Sequence, residues 1–399
     1  MTWRRCRLDW LATEERRTVD PADILEDTVF HYSIPALDEI GDGRLEPPED
    51  IGSGKLLLRG GEVLISKLNP RLPRVLFAMA HNVPTLASTE FIALQPRPDI
   101  DKRFLRYWLS SERLRQMLNG ATMSVTRSQQ RVRPDILTKT WLSVPSGTQQ
   151  RAIADYLDAE TARIDALIAK KRRMVELLGT RREALIEQSI RGLVNDYGSE
   201  PLKRVTQRVE VGIVITPSAW YAATGVLALR GLNIRPGGID LGDVVQISHE
   251  GQRLHQKSVL RAGDLAVVRT GQAGAAAVIP DELHGCNCID LVIVRTGSRI
   301  RSKFLEFVLN SDWTQKHIRE YSVGTIQSHF NVGAMKEVPV PVPPPEIQGQ
   351  IVDSLESATE QFTIMTRMLS KQIDFLQERR QALITAAVTG ELDIPLVAA

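Results

Sequence analysis

Guanidinium and carboxamide groups crowd one short stretch of this chain. Thr126-Arg127-Ser128-Gln129-Gln130-Arg131 is followed closely by Arg133. Arg offers a planar fork of donors that fits the guanine edge, Gln both donates and accepts as adenine requires, and further Arg or Lys grips phosphate. Residues 101–135 hold eight basic side chains (Lys102, Arg103, Arg106, Arg113, Arg115, Arg127, Arg131, Arg133) against three acids (Asp101, Glu112, Asp135). Base readout is therefore expected of Arg127, Gln129, Arg131 and Arg133. A second set is expected in the other half of the chain, at Arg269, Gln272, Gln327 and His329. A solvated surface loop has the same composition, so the weight of this reading depends on what carries the loops.

Other chemistries find less support. His284, Cys286 and Cys288 lack a fourth ligand at zinc-like spacing, so they read as loop thiols and no metal is expected. Gly271 and Gly274 follow an apolar run, but no Lys-Ser/Thr follows them and the spacing fits neither nucleotide fingerprint. The formal net charge of +2 decides nothing about partners, because nucleic-acid binding needs a local basic surface. The sequence contains no apolar run near 18 residues, and MTWRRCRLDW has no signal-peptide pattern. With three cysteines in 399 residues, the expectation is a reducing cytoplasm and no membrane.

The elements that must position these loops occur twice. Pro145 to Gly192 matches Pro343 to Gly390 at a fixed offset of 198, most clearly as RREALI (Arg181 to Ile186) against RRQALI (Arg379 to Ile384). GEVLISK (Gly61 to Lys67) answers GDLAVVR (Gly263 to Arg269), and RFLRYWLSS (Arg103 to Ser111) answers KFLEFVLNS (Lys303 to Ser311), at offsets that drift from 198 to 204. A period of half the chain means a duplicated module and an internal pseudo-twofold, not a solenoid. The frame is copied, while the front parts have diverged.

Each repeated segment reads as a long helix. No proline interrupts Ile153 to Ile190 or Ile351 to Val388, which predicts two helices of about 38 residues, or roughly 57 Å. Thr148 or Ser146 is the expected cap of the first, and Glu346 suits the first turn of the second. Leu355, Phe362, Leu369, Leu376 and Leu383 fall seven apart, as do Leu157, Ile164, Lys171, Leu178 and Leu185, with Lys171 the polar break. That seam predicts an antiparallel pairing of the copies as a coiled coil. The Lys170-Lys171-Arg172-Arg173 run reads as a solvated face.

Short strands are expected at Leu56 to Leu58, Val63 to Ser66, Arg74 to Met79 and Phe91 to Leu94. In the second half they are expected at Gly225 to Ile234, Asp243 to Ser248, Asp264 to Arg269, Ala275 to Pro280 and Ile289 to Arg295. Each set ends in an amphipathic helix, Lys102 to Met117 and Ser302 to Arg319. The fold class is α/β, with two mixed modules joined by two long helices.

Taken together and in this order, the segments resemble the specificity subunit of type I restriction–modification enzymes over nearly the whole chain. GVLALRGLNIRPGGID (Gly225 to Asp240) resembles the opening of a target-recognition domain. LRAGDLAVVRTGQAG (Leu260 to Gly274) is similar to its Gly-Asp hairpin. VPVPPPEIQGQIVDSLE (Val340 to Glu356) and LSVPSGTQQRAIADYLD (Leu142 to Asp158) resemble the proline-plus-glutamine start of each spacer helix, with Thr148-Gln149-Gln150 and Glu346-Ile347-Gln348 in place of the family's Glu-Gln.

The resemblance implies a target-recognition domain at 1–144, a spacer helix at 145–194, a second target-recognition domain at 195–342, and a second helix with its tail at 343–399. It implies double-stranded DNA as ligand, read as a bipartite asymmetric site, with two methyltransferase subunits and restriction subunits as partners. No Asn/Asp-Pro-Pro-aromatic segment, nuclease cluster or helicase loop is found, so no catalytic residue is expected here and S-adenosylmethionine is expected on the partner. The competing reading is a coiled-coil scaffold that reads no DNA.

Overall fold

A computed structural model of the protein describes residues 3–72, 74–121, 130–322 and 331–395. The two repeats are continuous helices, Gly147–Tyr197 with 51 residues and Pro345–Thr389 with 45. Both exceed the expected length because their ends are set by local chemistry beyond the repeat. Ser146 Oγ accepts the Gln149 N–H at 3.3 Å, and proline occupies the first position of the second helix. The first helix runs through Gly192 and stops at Gly198, whose φ of 68° ends the helix as a left-handed cap; Gly390, at 81°, does the same for the second.

The chain divides into two compact units, Met1–Arg172 with Ser370–Ala399, and Arg173–Leu369. In the first unit the helices run antiparallel. Arg380 Nε and Nη2 reach Asp165 at 2.9 and 3.2 Å, while Lys171 Nζ donates to Gln372 Oε1 at 2.6 Å, so one chain ascends as the other descends. Lys171, the break in the seam, is thereby bonded to a carboxamide. Burial along the seam is uneven. Leu157, Ile164 and Leu355 are buried, whereas Leu178, Leu185, Phe362, Leu369 and Leu376 are half-buried. The helices are anchored where they meet a module core and only partly covered between.

In the first unit Ile153 and Leu157 of one helix and Ile384, Ala387 and Val388 of the other close on Leu8, Val63, Ile92, Leu94 and Phe104. The sheet below is antiparallel, in the order Ala12–Glu15, Phe91–Pro96, Val63–Ser66, Val75–Phe77. A second sheet orders Thr18–Val19, Lys55–Leu58, Thr85–Ala87, Val29–Tyr32 and Arg44–Glu46, its one parallel pair being Val29–Tyr32 with Thr85–Ala87. The second unit repeats the plan. Ile190 and Leu193, with Ile347 and Ile351, close on Leu202, Leu265, Val292 and Phe304. Its sheet orders Thr206–Val211, Leu291–Thr296, Leu265–Val268 and Ala276–Val278. Beside it, Val245–Ile247, Tyr221–Leu229 and Asn287–Cys288 form three strands, again with one parallel pair.

The single helix expected after each sheet is two. Lys102–Leu109 gives way to Glu112–Gly120, and Ser302–Leu309 to Asp312–Ser322. The serine closing each repeated phrase breaks the helix: Ser111 Oγ donates to the Trp108 carbonyl and accepts the Leu114 N–H, and Ser311 Oγ does the same with Val308 and Thr314. Among the described residues, no helix is long and apolar enough to cross a membrane.

The repeated glutamine explains the start of each long helix. Gln150 is buried; its Oε1 accepts the Asp101 N–H at 2.8 Å and its Nε2 donates to the Pro145 carbonyl at 3.1 Å. Gln348, also buried, accepts from the Arg301 N–H and donates to the Arg299 and Pro343 carbonyls, all at 2.8 Å. The carboxamide stitches the loop before the Lys102 or Ser302 helix to the proline turn before the long helix. Only a side chain that both donates and accepts can do this.

Candidate nucleic-acid interface

Each sheet has a hairpin whose near side is set by a buried acid and whose far tip points loops outward. On the near side Glu62 accepts the Arg59 and Gly60 N–H groups, and Asp264 accepts the Arg261 N–H and a two-pronged contact from Arg295 at 2.8 and 2.7 Å. Gly61 and Gly263, at φ of 94° and 84°, make the turns that let the acid fold back. This is the physical content of the Gly-Asp phrase.

At the far tip of the first unit, residues 67–72 follow strand Val63–Ser66. Asn69 N–H donates to the Gln130 carbonyl at 2.8 Å, Val132 N–H donates to Lys67 at 3.0 Å, and Leu68 bridges Arg131. The tip is thus laced to the segment holding the first predicted readers. Arg131, whose side chain is 64% exposed, places Nε and Nη2 on Glu90 at 3.1 and 2.8 Å. Arg133, equally exposed, forks onto Asp135 at 3.0 Å. In the second unit Arg269 Nη1 meets Asp290 at 2.5 Å, and Thr270 Oγ1 donates to the same carboxylate at 3.0 Å. Asp290 stands at φ 52° just ahead of strand Leu291–Thr296, as Glu90 stands just ahead of Phe91–Pro96. Both units therefore hold an arginine at the loop end with a carboxylate from the same place in the sheet. The two-pronged contact of Arg131 with Glu90 uses two of its five guanidinium N–H donors.

Gln272 is exposed at the hairpin tip. Gly271 and Gly274, with φ of 82° and 91°, only turn that hairpin, the Gly274 N–H closing on the Val268 carbonyl at 2.8 Å. Arg127, Gln129, Gln327 and His329 lie outside the described residues. Arg131 and Arg133 lie on one exposed segment of the first unit, and Arg269 and Gln272 on one hairpin of the second. Lys67, Asn69 and Arg71, at the first unit's tip, were not singled out from the sequence. The 202-residue offset between GEVLISK and GDLAVVR carries Arg269 back to Lys67 and would have found them.

Part of the basic count has a different use. Arg103 reaches Asp155 at 2.7 Å and Asp158 at 2.8 Å, and Arg106 reaches Asp158 at 3.4 Å, tying the Lys102–Leu109 helix to the long helix. Tyr107 joins them, its hydroxyl on Asp158 at 2.6 Å. Arg115 pairs with Glu112 and donates to the Arg71 carbonyl at 3.1 Å, supporting the tip from behind. Cys286 and Cys288 are buried; burial pushes the first thiol up to about 11 and raises the second as well.

A family model described as the type I restriction modification DNA specificity domain matches residues 247–374. That stretch of the chain is similar to a type I specificity domain. Its relatives include the EcoBI type I restriction enzyme specificity subunit of Escherichia coli, 22% identical over 343 residues that cover 77% of this chain and 70% of the relative. The StySPI specificity subunit of Salmonella potsdam is 21% identical over 319 residues, 75% of this chain and 67% of that one. In fold, it matches a chain from work on complex assembly and conformational transition of the type I R-M system with a TM-score of 0.69, at 18% identity and 98% coverage of both. The HsdS subunit from Thermoanaerobacter tengcongensis follows at 0.52, with 19% identity, 98% of this chain and 97% of that one. The resemblance read from the sequence, and its fold class of two mixed α/β modules with long helices, are borne out.

Proposed function

We propose that this chain is the DNA-recognition subunit of a type I restriction–modification complex, reading a bipartite, asymmetric duplex site and directing adenine methylation and cleavage by partner subunits. The observation that carries this reading is the pair of sheets built to one plan whose loop ends differ. Glu90 and Asp290, at equivalent places in the two sheets, each hold an arginine, but Arg131 comes from the loop after the short helices and Arg269 from the end of the hairpin strand, so the two loop ends are not alike. One frame with two faces suits a site with two unlike halves. Residues 1–144 and 195–342 are the two readers, and the helices at 145–194 and 343–399 space them.

Phosphate contacts from Lys67, Arg71 and Arg133 would fix register, and Arg131, Arg269 and Gln272, with Arg127, Gln129, Gln327 and His329, would read base edges. The partners are two methyltransferase subunits, which bring S-adenosylmethionine, and restriction subunits; this chain supplies no catalytic group and works in the cytoplasm. The test is to sequence methylated adenines in cells with and without the gene. A split motif that disappears with the gene is the expected result; methylation that persists unchanged overturns the proposal.

A further inference from the structure

Among the described residues, the first unit has a basic, aromatic face with no counterpart in the second. Its N-terminal strand Arg4–Arg7 pairs with Trp141–Val144, aligning Arg5 with Ser143 and Arg7 with Trp141. Strand alternation buries Cys6, Leu142 and Val144 and turns Arg5, Arg7, Trp141 and Ser143 outward. Trp10 meets Trp141 edge-on at 5.4 Å, and both indoles are about half exposed, at 50% and 49%. The Arg5 guanidinium lies over the Trp141 ring at 5.3 Å and that of Arg7 over Trp10 at 5.9 Å. Arg7 also pairs with Asp9, the acid at this face. Exposed Arg113 lines the same cleft of about 570 Å³ as Arg5 and Trp141. A guanidinium attracted to a ring face is partly ordered before any anion arrives.

At the equivalent place the second unit has Glu200–Pro201 paired with Pro339–Val340. The 198 offset puts Pro339 at Trp141 and Pro341 at Ser143. Glu200 is bound by Arg299 at 2.7 Å. Trp313 stands where Arg113 does. Among the described residues, the basic face occurs once.

We propose that this face grips the phosphate backbone of duplex DNA flanking the half-site read by the first unit, through Arg5 and Arg113. The inference rests on the DNA-recognition reading and deepens it. Seven residues separate Arg133, at the reading loop, from Trp141, and Pro134–Thr138 are helical, so the chain path is at most about 20 Å. That is little more than half of a turn of about 34 Å, so duplex leaving the loops comes within reach. Arg5 and Arg7 over indole rings and exposed Arg113 beside them, with Asp9 paired to Arg7, suit a polyanion that needs no base-specific contact.

The test uses the full chain with its methyltransferase subunit and cognate duplexes ending at the motif or extended by ten base pairs on either side. Wild type is expected to gain affinity from extension on the first unit's side only. Arg5→Gln with Arg113→Gln should abolish that gain and leave the methylated motif unchanged. Losing two phosphate contacts lowers the salt slope by about 1.8, so the affinity gap from wild type narrows about twelvefold between 50 and 200 mM salt. Arg5→Lys with Arg113→Lys should restore the slope. Equal gains from both sides, or an unchanged slope in the glutamine variant, overturn the inference. Weakened subunit assembly with an unchanged slope overturns it in favour of an acidic protein partner. A wild type with no preference for cognate over scrambled duplex would instead refute the recognition reading beneath it.

Discussion

Replacing Gln348 with methionine keeps the length of the side chain and removes all three of its hydrogen bonds. The Arg301 N–H then has no acceptor, and the Arg299 and Pro343 carbonyls each lose a donor, in a place with no solvent exposure. An orphaned buried N–H costs about 1–3 kcal/mol and each lost neutral bond about 1, so about 3 kcal/mol is expected in all. At 2–4 °C per kcal/mol for a unit of about 200 residues, the melting transition of the second unit should fall by roughly 6–12 °C. Hydrogen exchange gives the local reading: about 3 kcal/mol corresponds to roughly a hundredfold loss of protection at the Arg301 amide. Gln150→Met removes two bonds instead of three, so its effect should be smaller and fall on the Asp101 amide of the first unit. A Gln348→Met protein that melts within 1 °C of wild type and keeps its Arg301 protection would refute the claim that the carboxamide clamps the helix start.

Arg131→Ala should relax the methylated motif at one position, at a cost of about 1–3 kcal/mol in duplex binding, whereas Lys67→Ala should weaken all sequences alike; competition binding with single-base variants separates the two. Exchanging residues 1–144 for those of a related subunit should change one half of the motif only, and the junction belongs after Val144 so that the Arg4–Arg7 and Trp141–Val144 ribbon moves intact; methylome sequencing reads the result. Inserting four residues after Leu178 adds roughly 6 Å of helix and about 40° of rotation, so the unread spacer should grow by nearly two base pairs, while two inserted residues should abolish assembly. The three cysteines are buried, so a thiol reagent at neutral pH should label them only on unfolding; prompt labelling of the native chain contradicts their burial.

The repeated half of this frame was legible because its physics is local and periodic. Proline-free heptads give helices, and Gln150 and Gln348 recur at one offset because the same clamp between a helix-entry loop and a proline turn is built twice. The hairpins Val63–Phe77 and Leu265–Val278 were legible for the same reason, as apolar runs between glycine turns. Strands Ala12–Glu15, Val29–Tyr32 and Thr206–Val211 carried no such signal. They are short or carry charged residues, and two of them pair with a strand more than 60 residues later in the chain, which no window of sequence reveals. The site was partly legible. Composition drew attention to the arginines, yet it could not separate Arg103 and Arg106, which brace a helix against Asp155 and Asp158, from Arg131 and Arg133, which face solvent.

The division of the chain has a bearing on how the molecule is made. Arg173–Leu369 is one continuous stretch, but the other unit draws its last wall from Ser370–Ala399. On the ribosome, Leu157 and Phe104 have emerged long before Ile384, Ala387 and Val388, the residues that cover them. At about 5–20 residues per second, the N-terminal module spends roughly ten to forty seconds of synthesis with an apolar flank open to water. The later-made unit can close first. A message cut short within the second helix would therefore damage the beginning of the protein more than its middle, and a nascent chain at that stage is a natural client for a chaperone.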